Sequence, residues 1–454
     1  MLNAARAAAP PPCAFEALRE REFDRLDAQG IVYLDHAASA LYGRSQVEAH
    51  AERLRRGVFG NPHSENLPSR ASEALIAEAR AATLRFLDAD PDAYDVVLTA
   101  NASAAVKLVG EAYPFGPGRG LVLAADNHNS VVGLREYARA AGAPVAVLPL
   151  DRSLRLEDPG ARLASAARGG AAGLLAFPFR SNFSGVAHPL ALVAQARALG
   201  CDVLLDAAGL GAAGGLSLRE HPADFVALSF YKLFGLPTGV GALVARREAL
   251  ARLRRPWFAG GAVAYVSVEH DRHRLLPGHA GFEDGTPDFL AAGAIVDGFA
   301  FLDGVDRPAL QRRLAELAAD LRRRLARLGL PDGSPAVRLY GPERADGTVV
   351  AFNLLGPEAS VRPYAEVERR AAAAGLALRG GCFCNPGAAE AAFGLAEHDL
   401  AACFDALDGT FSLPALQRCV PSATIGALRL SLGLPTLERD IAQAVAVLAL
   451  AAEP

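Results

Sequence analysis

The chain has 454 residues and a formal charge of −4, from 46 basic against 50 acidic side chains, with 51% hydrophobic and 21% charged residues. That length holds roughly two or three domains with full cores, and the composition excludes disorder, collagen and coiled coil. The near-neutral balance leaves no basic face for a phosphate backbone, so nucleic acid is not an expected partner.

In chain order, residues 1 to about 14 are rich in Ala and Pro, and Phe15–Leu26 reads as a charged amphipathic helix ahead of the apolar stretch IVYL. From Asp95 onward, seven short apolar runs recur between helical stretches: DVVLT, LVLAA, PVAVLPL, AGLLAFPF, DVLLDAA, DFVALSF and GALVARR. They are nearly continuous in apolar residues, which suits strands covered on both faces by helices in a mainly parallel α/β sheet. Turn residues dominate from the Gly-rich FAGGAVAYV to Asp288, and a long Ala, Leu and Arg pattern to Leu330 predicts one or two bridging helices. VRLYG, TVVAFNL, LALRGG and ALRLSLGL then predict a smaller α+β domain. The expected division is an N-terminal arm over 1–30 packing on the small domain, a large domain over 31–304, and the small domain over 305–454.

Six scattered cysteines are too few and too irregular for a disulfide scaffold, which favours a reducing compartment. The start MLNAARAAAPPPC lacks the apolar core of a signal peptide, and no run of about 18 apolar residues is free of charges or turn formers. A cytoplasmic chain with no membrane partner is expected.

Of the 46 basic residues only Lys107 and Lys232 are lysines. Lys232 follows a predicted strand inside a loop of Gly, Pro and small residues, where a partly dry amine can attack an aldehyde as a Schiff-base lysine; a loop lysine in a salt bridge is the plain alternative. Asp206 closes the run CDVLLD, and a buried carboxylate there needs a cationic partner such as a protonated pyridine nitrogen, or else caps the next turn. Ser103 and the first amides of the helix after DVVLT could hold a phosphate, or Asn101 or Ser103 could act as a helix cap. His128 and Asn182 lie after two other strands. His128 could stack on an aromatic ring or only be hydrogen-bonded, and Asn182 could be a turn residue. In RGGCFCNPG, Gly380 and Gly381 suggest a mobile loop presenting nucleophilic thiols, with inert loop cysteines the plain alternative. A zinc site needs four ligands and finds no second such pair, so no metal is expected. Arg429 in ALRLSLG offers a planar fork for a carboxylate, or is one more surface arginine.

Taken in order, LREREFDRL, VYLDHAASALY, FGNPHS, DNHNSVVGLREYA, FPFRSNFSG, HPADFVALSFYKLFGLPTGVGALV, FEDGTPDF, RGGCFCNPGA and RLSLG resemble the class V aminotransferases, pyridoxal-phosphate enzymes that include the cysteine desulfurases. The closer likeness is to the desulfurase-like N-terminal domain of molybdenum cofactor sulfurases. The resemblance implies the type I pyridoxal-phosphate fold, with a seven-stranded mainly parallel sheet in the large domain. It implies Lys232 as the cofactor-bonded lysine, Asp206 under the pyridine nitrogen and His128 stacked on the ring. Ala102, Ser103 and Ser229 would hold the phosphate and Asn182 the ring hydroxyl. Thr286 would reach the phosphate of the neighbouring subunit in a homodimer with shared sites. Arg429, with Arg379 and Asn182, would bind substrate, and Cys384 would accept sulfur from L-cysteine as a persulfide, releasing alanine and passing the sulfur to an acceptor protein or to molybdenum cofactor. Gly209 and Tyr231 depart from the desulfurase pattern toward the sulfurases, and Asn101 replaces a usual glycine, a change we relate to the ease with which Asn takes positive φ. The rival readings are a carbon–sulfur lyase, epimerase or aminotransferase on the same cofactor, and a non-catalytic scaffold. Neither GxGxxG nor GxxxxGK[ST] is present at the first strand-to-helix turn, which disfavours a nucleotide enzyme.

Overall fold

The computed structural model describes residues 14–344, 347–395, 397–407, 409, 412–420 and 424–452. Two helices, Ala14–Glu22 and Asp24–Ala28, replace the one expected over Phe15–Leu26. The break falls at Phe23, which is wholly buried. Strand β1 (Val32–Tyr33) comes next.

Each of the seven apolar runs is a strand: β2 (Tyr94–Thr99), β3 (Gly120–Ala124), β4 (Val145–Leu148), β5 (Gly173–Pro178), β6 (Asp202–Asp206), β7 (Phe225–Ser229) and β8 (Gly241–Arg246). They form one sheet in the order β2-β8-β7-β6-β5-β3-β4. Only β8 runs against its neighbours. Side chains alternate between faces, so Val96, Leu98, Val122, Leu175 and Phe177 join one core cluster while Val97, Leu121, Leu123, Leu174 and Ala176 join another on the opposite side. That two-sided burial is why the runs read as continuous apolar stretches, edge strand β4 excepted, where Val147 is exposed.

The segment after β8, read as turns to Asp288, contains a hairpin of β9 (Val263–Ser267) and β10 (Arg272–Leu275) that stands apart from the large sheet. Helix Phe289–Asp303 then packs on the large-domain core, and after Gly304 helix Arg307–Ala326 packs in a different one. That second core is built on β11 (Val337–Leu339), β12 (Val349–Leu354), β13 (Leu376–Ala377), β14 (Arg379–Gly381) and β15 (Ala427–Ser431). Four of these form an antiparallel sheet in the order β11-β12-β15-β14, and β13 pairs in parallel with β1. Leu18, Phe23 and Leu26 of the N-terminal helices pack here. So do Val32 and Leu34, which a division at residue 31 assigns to the larger unit. Buried Arg19 secures the arrangement through Asp27, Asp440 and the Pro435 carbonyl.

The expectation of a glycine-loosened loop needs correction. Gly380 and Gly381 are not in a free loop but in β14, paired with Leu428 and Ala427. A side chain at Gly380 would meet the Tyr364 ring at 2.5 Å, which explains that glycine by close approach. Cys403 and Cys419 form a disulfide across 16 residues of sequence, a single bridge and not a disulfide scaffold. No helix among the described residues is long and apolar enough to cross a membrane.

Candidate functional site

Because β2, β3, β5, β6 and β7 are parallel, their carboxyl ends meet along one edge of the sheet, where open α/β sheets form their binding crevice. A cavity of about 500 Å³ lies there. Ala102 and Ser103 after β2, His128 after β3, Asn182 after β5, Asp206 on β6, Ser229 on β7 and Lys232 just past it all line this cavity. Residues from 102 to 232 are thus gathered by topology alone.

At one end is helix Ala102–Ala112, capped by Asn101, whose Oδ1 accepts from the Ala104 amide at 3.0 Å. Ser229 Oγ accepts from the Ala102 amide at 2.9 Å, and Ala105 bonds the Asn101 carbonyl. Among the described residues this leaves the Ser103 amide, of the first four in the helix, for a ligand. The Ser103 hydroxyl lies 2.6 Å from that of Ser130. Asn101 itself has φ −177°, which any residue adopts, so the explanation from positive φ is wrong. The glycine that this loop needs is Gly241 on β8, where a Cβ would stand 2.6 Å from the Asn101 backbone.

Lys232 sits on the short helix Tyr231–Phe234, and burial lowers its ammonium pKa. The nearby Asp206 carboxylate and a Cys384 thiolate favour its charged form, whereas Arg429 and Arg379 oppose it. Lys107, the other lysine, is an exposed ion pair with Glu111. Asp206 is buried and accepts from the Ala208 amide at 3.0 Å. His128 Nδ1 accepts from the Ser130 amide at 3.1 Å, so the ring proton resides on Nε2, and burial moves the imidazole pKa down. Gly209 and Tyr231 also line the cavity.

The thiol loop stands beside the cavity, and Cys384 is exposed without lining it. Phe383 and Cys384 both have φ 56°, two successive left-handed non-glycine residues, an arrangement that neighbouring contacts must hold. Those contacts are the Phe383 carbonyl accepting from Asn182 Nδ2 at 2.7 Å and the Cys384 carbonyl accepting from the Asn129 amide at 2.8 Å. Wholly buried Asn385 completes them: its Nδ2 donates to Asn182 Oδ1 and the Asp126 carbonyl, and its Oδ1 caps helix Pro386–Phe393. Cys382 is half-buried, and burial raises its thiol pKa.

Arg429 is 2% exposed, donates to the Asn182 carbonyl at 2.9 Å and lies over the Phe383 ring, but does not itself line the cavity. Both Arg429 and the half-exposed Arg379 bond Asp35. Thr286 is exposed and away from this cavity. Sequence reasoning singled out neither Asp35, Asn385, Ser130 nor the buried Asp126–His188 pair at 2.8 Å, although the quoted motifs contain the first three and Asp126. The signal was present in LDHAAS, DNHNS and CFCNPG, as polar residues in apolar surroundings.

The donor set fits pyridoxal phosphate. A serine-lined helix N-terminus suits a phosphate, Asp206 a protonated ring nitrogen, Lys232 an aldehyde, and His128 a ring face.

The comparisons agree with this geometry. The Aminotransferase class-V model matches residues 32–441. Over 421 residues the chain is 37% identical to the molybdenum cofactor sulfurase of Arabidopsis thaliana, covering 83% of this chain and 51% of that protein. The Homo sapiens molybdenum cofactor sulfurase is 35% identical, covering 85% and 46%. The chain spans about half the length of the curated relatives it matches. Among solved structures, the cysteine desulfurase CsdA of Escherichia coli aligns with a TM-score of 0.73 at 22% identity, over 96% of this chain and 98% of that one. The cystine C-S lyase C-DES aligns at 0.70 and 16%, over 94% and 99%. These likenesses carry the fold, and the family is pyridoxal-phosphate dependent. With the family model matching from β1 to the last helix, and the lysine, aspartate and serine-lined helix end converging on one crevice, this chain belongs to the class V aminotransferases.

Proposed function

We propose that the chain is a pyridoxal-phosphate-dependent cysteine desulfurase that mobilises the sulfur of L-cysteine as a persulfide on Cys384 and releases alanine. The observation that carries this reading is the placement of an exposed Cys384 on a loop pinned to Asn182, a residue that itself lines the Lys232 cavity. Bound through Lys232, the cofactor would supply an electron sink for charge leaving the substrate Cα. Lys232, its ammonium pKa lowered by burial, moves the Cα proton. Asp206 holds the proton on the ring nitrogen. The Cys384 thiolate attacks the substrate sulfur, forming the S–S bond as the carbon–sulfur bond breaks, and alanine leaves after protonation. The sulfurases among the relatives favour molybdenum cofactor as the final sulfur acceptor, reached directly or through an acceptor protein in the cytoplasm.

A homodimer belongs to the same proposal. The β9–β10 hairpin exposes Tyr265 and Val268, with Trp257 and Phe258 beside it, and Thr286 stands outside its own cavity. A second copy would cover the hairpin and receive Thr286 at its phosphate site.

The test is to incubate purified enzyme with L-cysteine and a thiol reductant, then quantify alanine, pyruvate and sulfide together. Alanine equal to sulfide supports desulfuration. Lys232→Ala should abolish cofactor absorbance at its bound wavelength, and Cys384→Ala should retain it but lose persulfide. Full-rate desulfuration by Cys384→Ala would sink the thiol's role. A second reading, a carbon–sulfur lyase, is favoured by the absence of Cys384 from the cavity wall, and predicts pyruvate and ammonia in place of alanine.

A further inference from the structure

Arg379 on β14 and Arg429 on β15 are direct cross-strand partners. Like charges in that position repel, and here the pair lies partly out of water. The chain answers with Asp35, which follows β1 and bridges in parallel to Ser431. Its carboxylate accepts from Arg379 Nε and Nη2 at 3.0 and 2.7 Å and from Arg429 Nη2 at 3.1 Å. Among the three groups in direct contact, two guanidiniums and one carboxylate leave a single positive charge in excess, with Glu368 acting on Arg379 from beside Gly380 as a lesser influence. Donors are divided in the same way, since Arg429 gives Nη2 to Asp35 and Nη1 to the Asn182 carbonyl. Its Nε is buried with no hydrogen-bond partner among the described residues. An unpaired donor on a 2%-exposed guanidinium is costly unless a ligand uses it. Asn182, bonded to this arginine, lines the cavity. What remains for an incoming anion is thus one charge and one donor.

We propose that Asp35 is a specificity-determining positioning residue, which neutralises one of two facing arginines so that the site takes amino acids with a single carboxylate and turns away those with a second acid group. The inference rests on the reading of the cavity as an amino-acid site. Asp35 acts through Arg429 and Arg379 and touches no reacting atom. A purely structural role for the same contacts predicts lost stability without altered selectivity, so the two roles separate by experiment.

The probes are L-alanine and L-aspartate, neither of which has sulfur to lose, titrated into cofactor-loaded enzyme and followed by cofactor absorbance. Wild-type enzyme should bind alanine more tightly than aspartate. Asp35→Asn raises the excess charge to two and should shift the ratio of dissociation constants toward aspartate by at least about tenfold, the scale expected when an interaction between facing charges is removed. Asp35→Glu keeps the charge and should keep the wild-type preference. The double variant Asp35→Asn with Arg379→Gln restores the single excess charge and should recover that preference, a rescue that a structural role does not give. Arg379→Gln alone removes the excess charge and should disfavour aspartate further, which keeps the test decisive where Asp35→Asn fails to load cofactor. An unchanged ratio in Asp35→Asn, or a move toward aspartate in Arg379→Gln, overturns the charge-balancing role and leaves the amino-acid reading standing. No response of wild-type absorbance to either amino acid overturns both.

Discussion

His36 illustrates what burial does to a single residue. Its ring packs against Gly433, where a Cβ would lie 2.4 Å from the imidazole, and its Nε2 is buried without a partner among the described residues. Desolvation pushes its pKa down to about 3. The folded value lies below the unfolded one, so between about pH 3 and pH 6.5 the unfolded chain binds the extra proton. Stability from this group is therefore intact above about pH 6.5 and falls with pH through the window, by up to ~1.4 kcal/mol per unit. Urea unfolding at pH 7 and pH 5 should show wild-type enzyme losing ~2 kcal/mol more than His36→Asn across that interval. Parallel pH dependences for the two proteins would refute the assignment. Among the residues that line the cavity, Lys232 was readable because lysine is rare in this chain, and Asp206, His128, Asn182 and Ser103 because each sits where an apolar run ends. Asp35 was not readable as a counter-ion, since its partners lie 344 and 394 positions away in sequence and nothing local announces them.

Elements were legible in proportion to how much of their burial is local. Six of the seven runs of the large sheet are buried on both faces, so each announces itself within five or six residues, whereas edge strand β4 has four residues and exposes Val147. β14 is the opposite case. Gly380 and Gly381 looked like freedom, but the strand is made by pairing to β15, some 48 positions later for Gly380 and Leu428. The start of helix Ala102–Ala112 was left open between Asn101 and Ser103, and the structure gives the cap to Asn101 and turns Ser103 toward Ser130. Removing that cap with Asn101→Ala should cost about 1 kcal/mol of stability in urea unfolding, whereas Asn101→Gly should cost only a few tenths. Gly241→Ala should cost more than either, roughly 1–3 kcal/mol, because its Cβ would enter within 2.4 Å of the Leu228 carbonyl as well as against Asn101. The same substitution should weaken cofactor binding, measured by dialysis against free pyridoxal phosphate, since it displaces the backbone that presents the Ser103 amide. A Gly241→Ala protein as stable as wild type would show that the loop yields freely and that the close approach is not what holds it.

At the scale of the molecule, the hairpin of β9 and β10 is the element that the monomer does not explain. A two-stranded hairpin is marginal on its own in water, and among the described residues this one pairs with no other strand. Tyr265 is 67% exposed and Val268 93%, while Gly261 at its base adjoins His63. Two large apolar side chains exposed on an element with so little support of its own are the reason to look for a covering surface here. Thr286 lies further along the same outward segment, so one contact would both cover the hairpin and bring a hydroxyl toward another copy's phosphate site. Replacing Tyr265 and Val268 together by Glu should convert a dimer to monomer in sedimentation velocity. Because these side chains make little contact within their own chain, the monomer should remain folded and retain its unfolding midpoint at low protein concentration. Thr286→Ala should leave the dimer intact and loosen the cofactor by several-fold, as expected for one lost hydrogen bond to a charged group. Dimer loss without cofactor loosening in the Glu variant would separate the interface from the site, and a wild-type protein that sediments as a monomer at micromolar concentration would remove the second copy from the account of both.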